Sequence, residues 1–156
     1  MALTIVQTET MLLKRVATLF TAVGLDGTTV SGSNTDLAGP IGYSIRNLGG
    51  SVTTITVIVD ADLASIGESD YDELFDVAEL RALQNAYSAA TTLIDTKIGP
   101  RDEKLSNIAN TLAKMVEGRQ KDVESKYQIG LPSLEAGVLE LDFAEHNEDS
   151  IDASGW

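Results

Sequence analysis

Two runs of apolar residues at helical spacing, separated by one Gly-Pro break, constrain this chain more than any other feature. Leu80, Leu83, Tyr87, Ala90 and Ile94 follow a 3-4-3-4 rhythm. That rhythm puts them on one face of a helix and makes a seam for a second helix. Leu74, Phe75 and Val77 widen the face near its start, and Ser69-Asp70-Tyr71-Asp72 resembles a capping box that opens it. Leu105, Ile108, Leu112, Val116 and Val123 mark the buried face of the next helix. Between them stands Gly99-Pro100. Proline lacks the amide a helix needs and disfavours helix in the residue before it. Two long helices joined by so short a break are expected to lie antiparallel.

The rest of the chain reads as shorter pieces around that pair. A first helix over about residues 4–23 carries Leu12, Val16, Leu19, Phe20 and Val23 on one face, with Gly24 placed for a left-handed C-cap. Residues 25–35 are turn chemistry, with Asp26-Gly27 and Gly32-Ser33-Asn34. A second helix over residues 36–48 is striped by Leu37, Ile41, Ile45 and Leu48 and ends at Gly49-Gly50. Asn34 or Asp36 is its expected N-cap, and Pro40 is tolerable only near its first turn. Residues 51–59 are rich in Val, Ile and Thr, which predicts a short β-like segment. Asp60 then reads as the N-cap of a brief helical turn ending at Gly67.

From residue 131 onward the sequence changes character. It carries seven acids and no base, and its only histidine, His146, reads as a solvated side chain. Leu139, Leu141 and Phe143 alternate with Glu140 and Asp142, a pattern suited to a strand with one apolar face. Two readings stand: a disordered tail, or an arm that orders by strand addition on a neighbouring subunit. The expected organisation is a mainly α fold. Residues 1–130 form a small helical bundle with two long helices and the short β-like segment. Residues 131–156 form an extended acidic C-terminal arm.

Charge and residue inventory narrow the function classes. The net charge is −13, so the chain repels nucleic acid rather than gathering it. Residues 60–80 hold eight acids and no base, whereas residues 97–126 hold seven bases against five acids. Such asymmetry suits head-to-tail association, although a solvated surface is the commoner cause. The absence of cysteine removes disulfides, thiolate nucleophiles and Cys-based zinc sites together. No apolar run nears the roughly 18 residues of a membrane span, and the first twenty residues lack the charged-then-apolar layout of a signal peptide. The carboxylates Asp70, Asp72, Glu73 and Asp76 crowd a helix start, where the dipole favours acids irrespective of catalysis. No glycine loop has phosphate-binding spacing, and Asp60-x-Asp62 lacks the later ligands of a calcium loop. The expectation is a protein without catalytic, cofactor or metal residues. Arg81 stands beside the apolar seam, and either pairs within its helix toward Asp76 or Glu79 or makes an ion pair with another subunit.

Two stretches carry a family resemblance. One runs from Gly24-Leu25-Asp26-Gly27 through Asp36-Leu37 to Gly49-Gly50. The other begins at Asp60-Ala61-Asp62-Leu63, passes through Asp70-Tyr71-Asp72-Glu73-Leu74-Phe75-Asp76-Val77-Ala78-Glu79-Leu80-Arg81, and continues through Ile98-Gly99-Pro100-Arg101 to Glu103-Lys104-Leu105. Together, across roughly residues 24–127, they resemble the head-to-tail adaptor (connector) proteins of tailed bacteriophages. The resemblance implies a small helical bundle whose copies, typically twelve, form a ring below the portal protein. Such a ring extends the DNA channel and offers a docking surface to a stopper or tail-completion protein. It also implies a virion neck location, host cytoplasm during assembly, no membrane partner and no cofactor. On that basis Asp60, Asp62, Asp70, Asp72 and Glu73 are candidate channel-facing acids. Arg81, Val138, Leu139, Leu141, Phe143 and Trp156 are candidate protein-contact residues. The rival expectation from the residues alone is a monomeric or dimeric helical binding module, regulatory or chaperone-like, using the Leu80/Leu83/Tyr87 seam.

Overall fold

The computed structural model describes residues 2–96 and 101–131. Five helices follow in order: α1 (Ile5–Ala22), α2 (Thr35–Asn47), α3 (Asp60–Leu63), α4 (Tyr71–Thr96) and α5 (Arg101–Tyr127). A single 3-10 turn, Glu68–Asp70, leads into α4. The fold is mainly α, and no strand occurs among the described residues.

α4 is the central element, packing against α5, α2 and α1. Its start meets the end of α5, since Asp76 bonds Lys126 and Tyr127, so the two long helices run antiparallel as expected. The seam residues Leu80, Leu83 and Ala90 are buried together with Leu112, Val116 and Val123 of α5. From α1 come Leu12, Val16 and Phe20, and from α2 come Leu37, Ile41 and Ile45, all fully buried. Ser44 Oγ also donates to the Leu74 carbonyl at 2.6 Å, pinning α2 to α4.

Local chemistry sets the helix ends. Gln7 N–H donates to Thr4 Oγ1 and Thr4 N–H donates to Gln7 Oε1, a reciprocal cap that starts α1. Gly24 adopts φ +80 beyond its end, and Leu25 N–H returns to the Phe20 carbonyl. Asn34 Oδ1 accepts from the amides of Asp36 and Leu37, so Asn34, rather than Asp36, caps α2.

Four sequence expectations are corrected. Pro40 lies inside α2, past its first turn. The helix continues through it, and the bond from residue 40 to the Asp36 carbonyl is the one that proline forgoes. The capping box at Ser69 does not form: Ser69 Oγ bonds the Asp70 carboxylate, and the 3-10 turn occupies that stretch. Val59, not Asp60, is the N-cap of α3. Residues 51–59 form no strand; they run irregularly from α2 to α3. β-Branched composition favours a strand only where a partner backbone pairs with it, and no described segment pairs with this one. Asp62 organises the segment instead, accepting from Thr53 N–H, Thr53 Oγ1 and Val59 N–H.

Beyond α5, Ile129 and Leu131 pack back on the core. Leu131 N–H donates to Glu124 Oε1 and Gln120 Nε2 donates to the Leu131 carbonyl. Of the expected arm, residues 131–156, all but Leu131 lies outside the described residues.

Candidate interaction surface

The buried acids are engaged in ties that hold the fold together. Asp76 is 7% exposed and lies among four donors. Arg15 and Arg119 reach its Oδ1 at 3.1 and 2.8 Å, and Lys126 and Tyr127 reach its Oδ2 at 2.9 and 2.7 Å. Both arginines also donate to Glu79 Oε2 at 2.8 Å. Three cations thus bracket two carboxylates, and α1, α4 and α5 share one hub. Burial alone would raise the Asp76 carboxyl; the donors Lys126, Tyr127 and Arg15, with the charge of Arg119, outweigh it and hold the group below the ordinary range. Sequence reasoning missed Arg15, Arg119, Lys126 and Tyr127 as partners of this acid.

The candidate residues from sequence fall in different places. Asp62 is 5% exposed, and its carboxylate faces its own loop, so it is not a surface acid. Asp60 Oδ1 accepts the Ile5 amide at 2.7 Å and so caps α1 from a distance. Asp70 and Asp72 are exposed near the start of α4. Glu73 is half-buried and close to Asn47 Nδ2, and burial, with the nearby charge of Asp70, raises its carboxyl. Arg81 makes neither expected intrahelical pair. Its Nη1 donates to Gln84 Oε1 at 3.0 Å, and its guanidinium lies 5.2 Å from the centre of the Tyr43 ring. At about 100° per residue, Asp76 and Glu79 lie well round the helix from Arg81, whereas Gln84, three residues on, shares its face. Val138, Leu139, Leu141, Phe143, His146 and Trp156 lie outside the described residues.

The opposite kind of feature is an apolar edge left facing solvent. Val6 and Met11 on α1 are each 43% exposed, and Val30, Val57 and Val59 are comparably open, with Ile55 at 72%. Ala2, Leu3, Val6, Gln7, Thr10 and Met11 line an open groove of about 360 Å³. The loop at residue 32 borders it: the α-carbon face of Gly32 looks onto Ile5 and Val6. The Asp60–Ile5 bond joins the end of the 51–59 loop to the same end of α1. The groove's largely apolar lining, with no charged side chain among its residues, suits a protein contact.

No group of metal-ligating side chains occurs among the described residues, and no helix among them is long and apolar enough to cross a membrane. No family model, curated protein or solved structure matches this chain.

The carboxylates also set the response to acid. Asp26 is pulled down to about 2 by bonds from Thr29 and Thr28, and Asp62 and Asp76 are lowered as well. A carboxyl lowered on folding adds stability above its unfolded value and loses it as pH falls through the folded one. The urea midpoint is therefore expected to hold from neutral pH to about 5 and to fall between about 4 and 2. A midpoint that rises across that interval would contradict these assignments.

Proposed function

We propose that this chain is a structural virion protein, a head-to-tail adaptor whose copies form a ring beneath the portal. The ring, twelvefold by the resemblance, extends the DNA channel and gives the stopper or tail protein a surface to dock on. One observation carries the proposal: the buried acids Glu9, Asp62 and Asp76 are tied within the fold, while the apolar side chains of Val6, Met11, Ile55, Val57 and Val59 stay open to solvent. That division suits a chain whose work is adhesion. The exposed acids Asp70 and Asp72 suit a channel wall that passes DNA without gripping it, because like charge repels phosphate.

The test is imaging of the particle neck. A ring of this chain directly under the portal is expected; its absence from assembled particles would refute the proposal. A second readout uses Val6→Asp with Met11→Asp. The pair is expected to abolish ring or portal association while stability shifts by less than about 1 kcal/mol, since both side chains are already partly in water. The alternative, a monomeric or dimeric helical binding module, draws on the same apolar edge. It predicts no change in assembly size when a portal is added.

A further inference from the structure

Arg81 is the one base of α4, whose first turns hold the acids Asp72, Glu73, Asp76 and Glu79. Asp76 and Glu79 are taken by cations of α1 and α5, and Arg81 forms no ion pair among the described residues. Its Nη1 donates to the neutral Gln84, its guanidinium lies over the half-buried Tyr43 ring, and Leu131 lines the same cleft. An arginine held against an aromatic ring is always charged, gives up little freedom on binding and suits a carboxylate. Asp72 is its counterpart. It is exposed and makes no hydrogen bond or ion pair among the described residues. Arg81 follows Asp72 by nine positions, about two and a half helical turns, so the two stand on opposite faces of α4.

We infer that Arg81 of one copy takes Asp72 of the next, joining copies head to tail. Charge, placement and continuity support this occupant. The net charge of −13 makes whole copies repel. A contact that sets a cation without an anion against an acid without a cation reverses that repulsion locally and fixes the register. Two different patches on opposite sides are what a ring needs, whereas a single self-matching patch stops at a dimer. Continuity comes from α1. Leu3 N–H donates to Tyr71 Oη and Arg15 reaches Asp76, so α1 and α4 run the same way. Met11, one turn before Arg15, is then level with Asp72, one turn before Asp76. The open side chain of Met11 thus flanks one half of the contact, and Tyr43 and Leu131 flank the other. In a ring, Asp72 lies at the border between subunits and Asp70 is left to the channel wall. The inference rests on reading Val6 and Met11 as an assembly edge, and adds what that edge meets.

Charge reversal on the full chain, read by sedimentation velocity, tests it. Arg81→Glu and Asp72→Lys are each expected to weaken self-association at least about tenfold, since each sets like charges together. The double variant sets opposite charges together again and is expected to return to within about threefold of the parent. Asp72→Lys is the decisive arm. It makes the chain less negative, so repulsion between whole copies predicts tighter association, whereas the pairing predicts weaker. Asp122→Lys makes the same change at another exposed acid and is expected not to weaken association. Circular dichroism checks that the helices persist, and the milder Asp72→Asn, expected to act in the same direction, replaces a reversal that disturbs them. A parent chain that stays monomeric at millimolar concentration, an Asp72→Lys variant that associates as well as the parent, or a double variant no better than the singles would overturn the pairing. Loss in Arg81→Glu with Asp72→Lys neutral would assign the seat to a different acid and overturn it equally. If Val6→Asp with Met11→Asp abolishes association while these reversals do not, the pairing falls and the assembly edge stands; imaging of the neck decides the ring separately.

Discussion

Asp76→Asn is expected to lower the unfolding free energy by roughly 2–4 kcal/mol, a drop in Tm of roughly 5–15 °C for a domain of this size. The substitution keeps the shape of the side chain and removes its charge. Arg15 and Arg119 then share only Glu79, Lys126 loses its anion, and one amide N–H now faces donors where an acceptor stood. Breaking a fully buried pair costs about 3–5 kcal/mol. The figure here is set lower because Lys126 and Arg15 keep access to water. Thermal unfolding with circular dichroism measures it. A Tm within about 2 °C of the parent would mean that the hub adds nothing beyond the apolar packing around it. Asp76→Leu sharpens the test: it also strands the cations, yet restores an apolar side chain to the seam. If the loss comes from unpaired charge rather than lost packing, the leucine variant is no more stable than the asparagine one.

The position of that hub was encoded in the helical rhythm. Counting back from Leu80 in the alternating four-three pattern lands on Asp76, so an acid occupies the seam itself. On α5 the stripe runs Leu112, Val116, Val123, and the step between the last two is filled by Arg119, with Lys126 and Tyr127 next. Charged residues on facing apolar stripes must find each other or remain unpaired in a poor solvent. Periodicity thus pointed to both partners, and antiparallel packing brings them level. Arg15 was not legible in this way. It lies beside its stripe rather than on it, and only the placement of α1 against α4 directs it to Asp76. The 51–59 segment misled for a related reason. Residue preference there is for extended backbone, but a strand is a property of two segments, and nothing local says where the second lies. For Arg81, nearness in sequence is not nearness on the helix surface: its partner Gln84 and the Tyr43 ring share a face that Asp76 and Glu79 do not. The apolar edge at Val6 and Met11 was invisible for a different cause. Its exposure depends on where the other helices stop, and an isolated stripe does not report that.

The second large effect is expected at Glu9, the other acid on an apolar stripe, three residues before Leu12. Its side chain is 2% exposed, and its carboxylate accepts Gly32 N–H at Oε2 and Asn34 N–H at Oε1, at 2.7 and 2.9 Å. Those two bonds fasten the turn-rich loop to α1. Asn34 then relays the order. Its Nδ2 donates to the carbonyls of Asp26 and Thr29 while its Oδ1 caps α2. Glu9→Ala leaves two inward amides without acceptors, which costs roughly 2–6 kcal/mol at about 1–3 per stranded group. Glu9→Gln is nearly isosteric and is expected to be almost as damaging. Only one end of a glutamine amide accepts; its NH2 group must face whichever backbone amide the oxygen does not. The loss from Gln should therefore exceed half the loss from Ala in urea unfolding at neutral pH. Hydrogen exchange adds a local readout, because the amides of Gly32 and Asn34 should be the first released in either variant. If Gln restores parent stability, the carboxylate is dispensable at this position, and the loop is held by Asn34 and the Asp26 and Asp36 bonds instead.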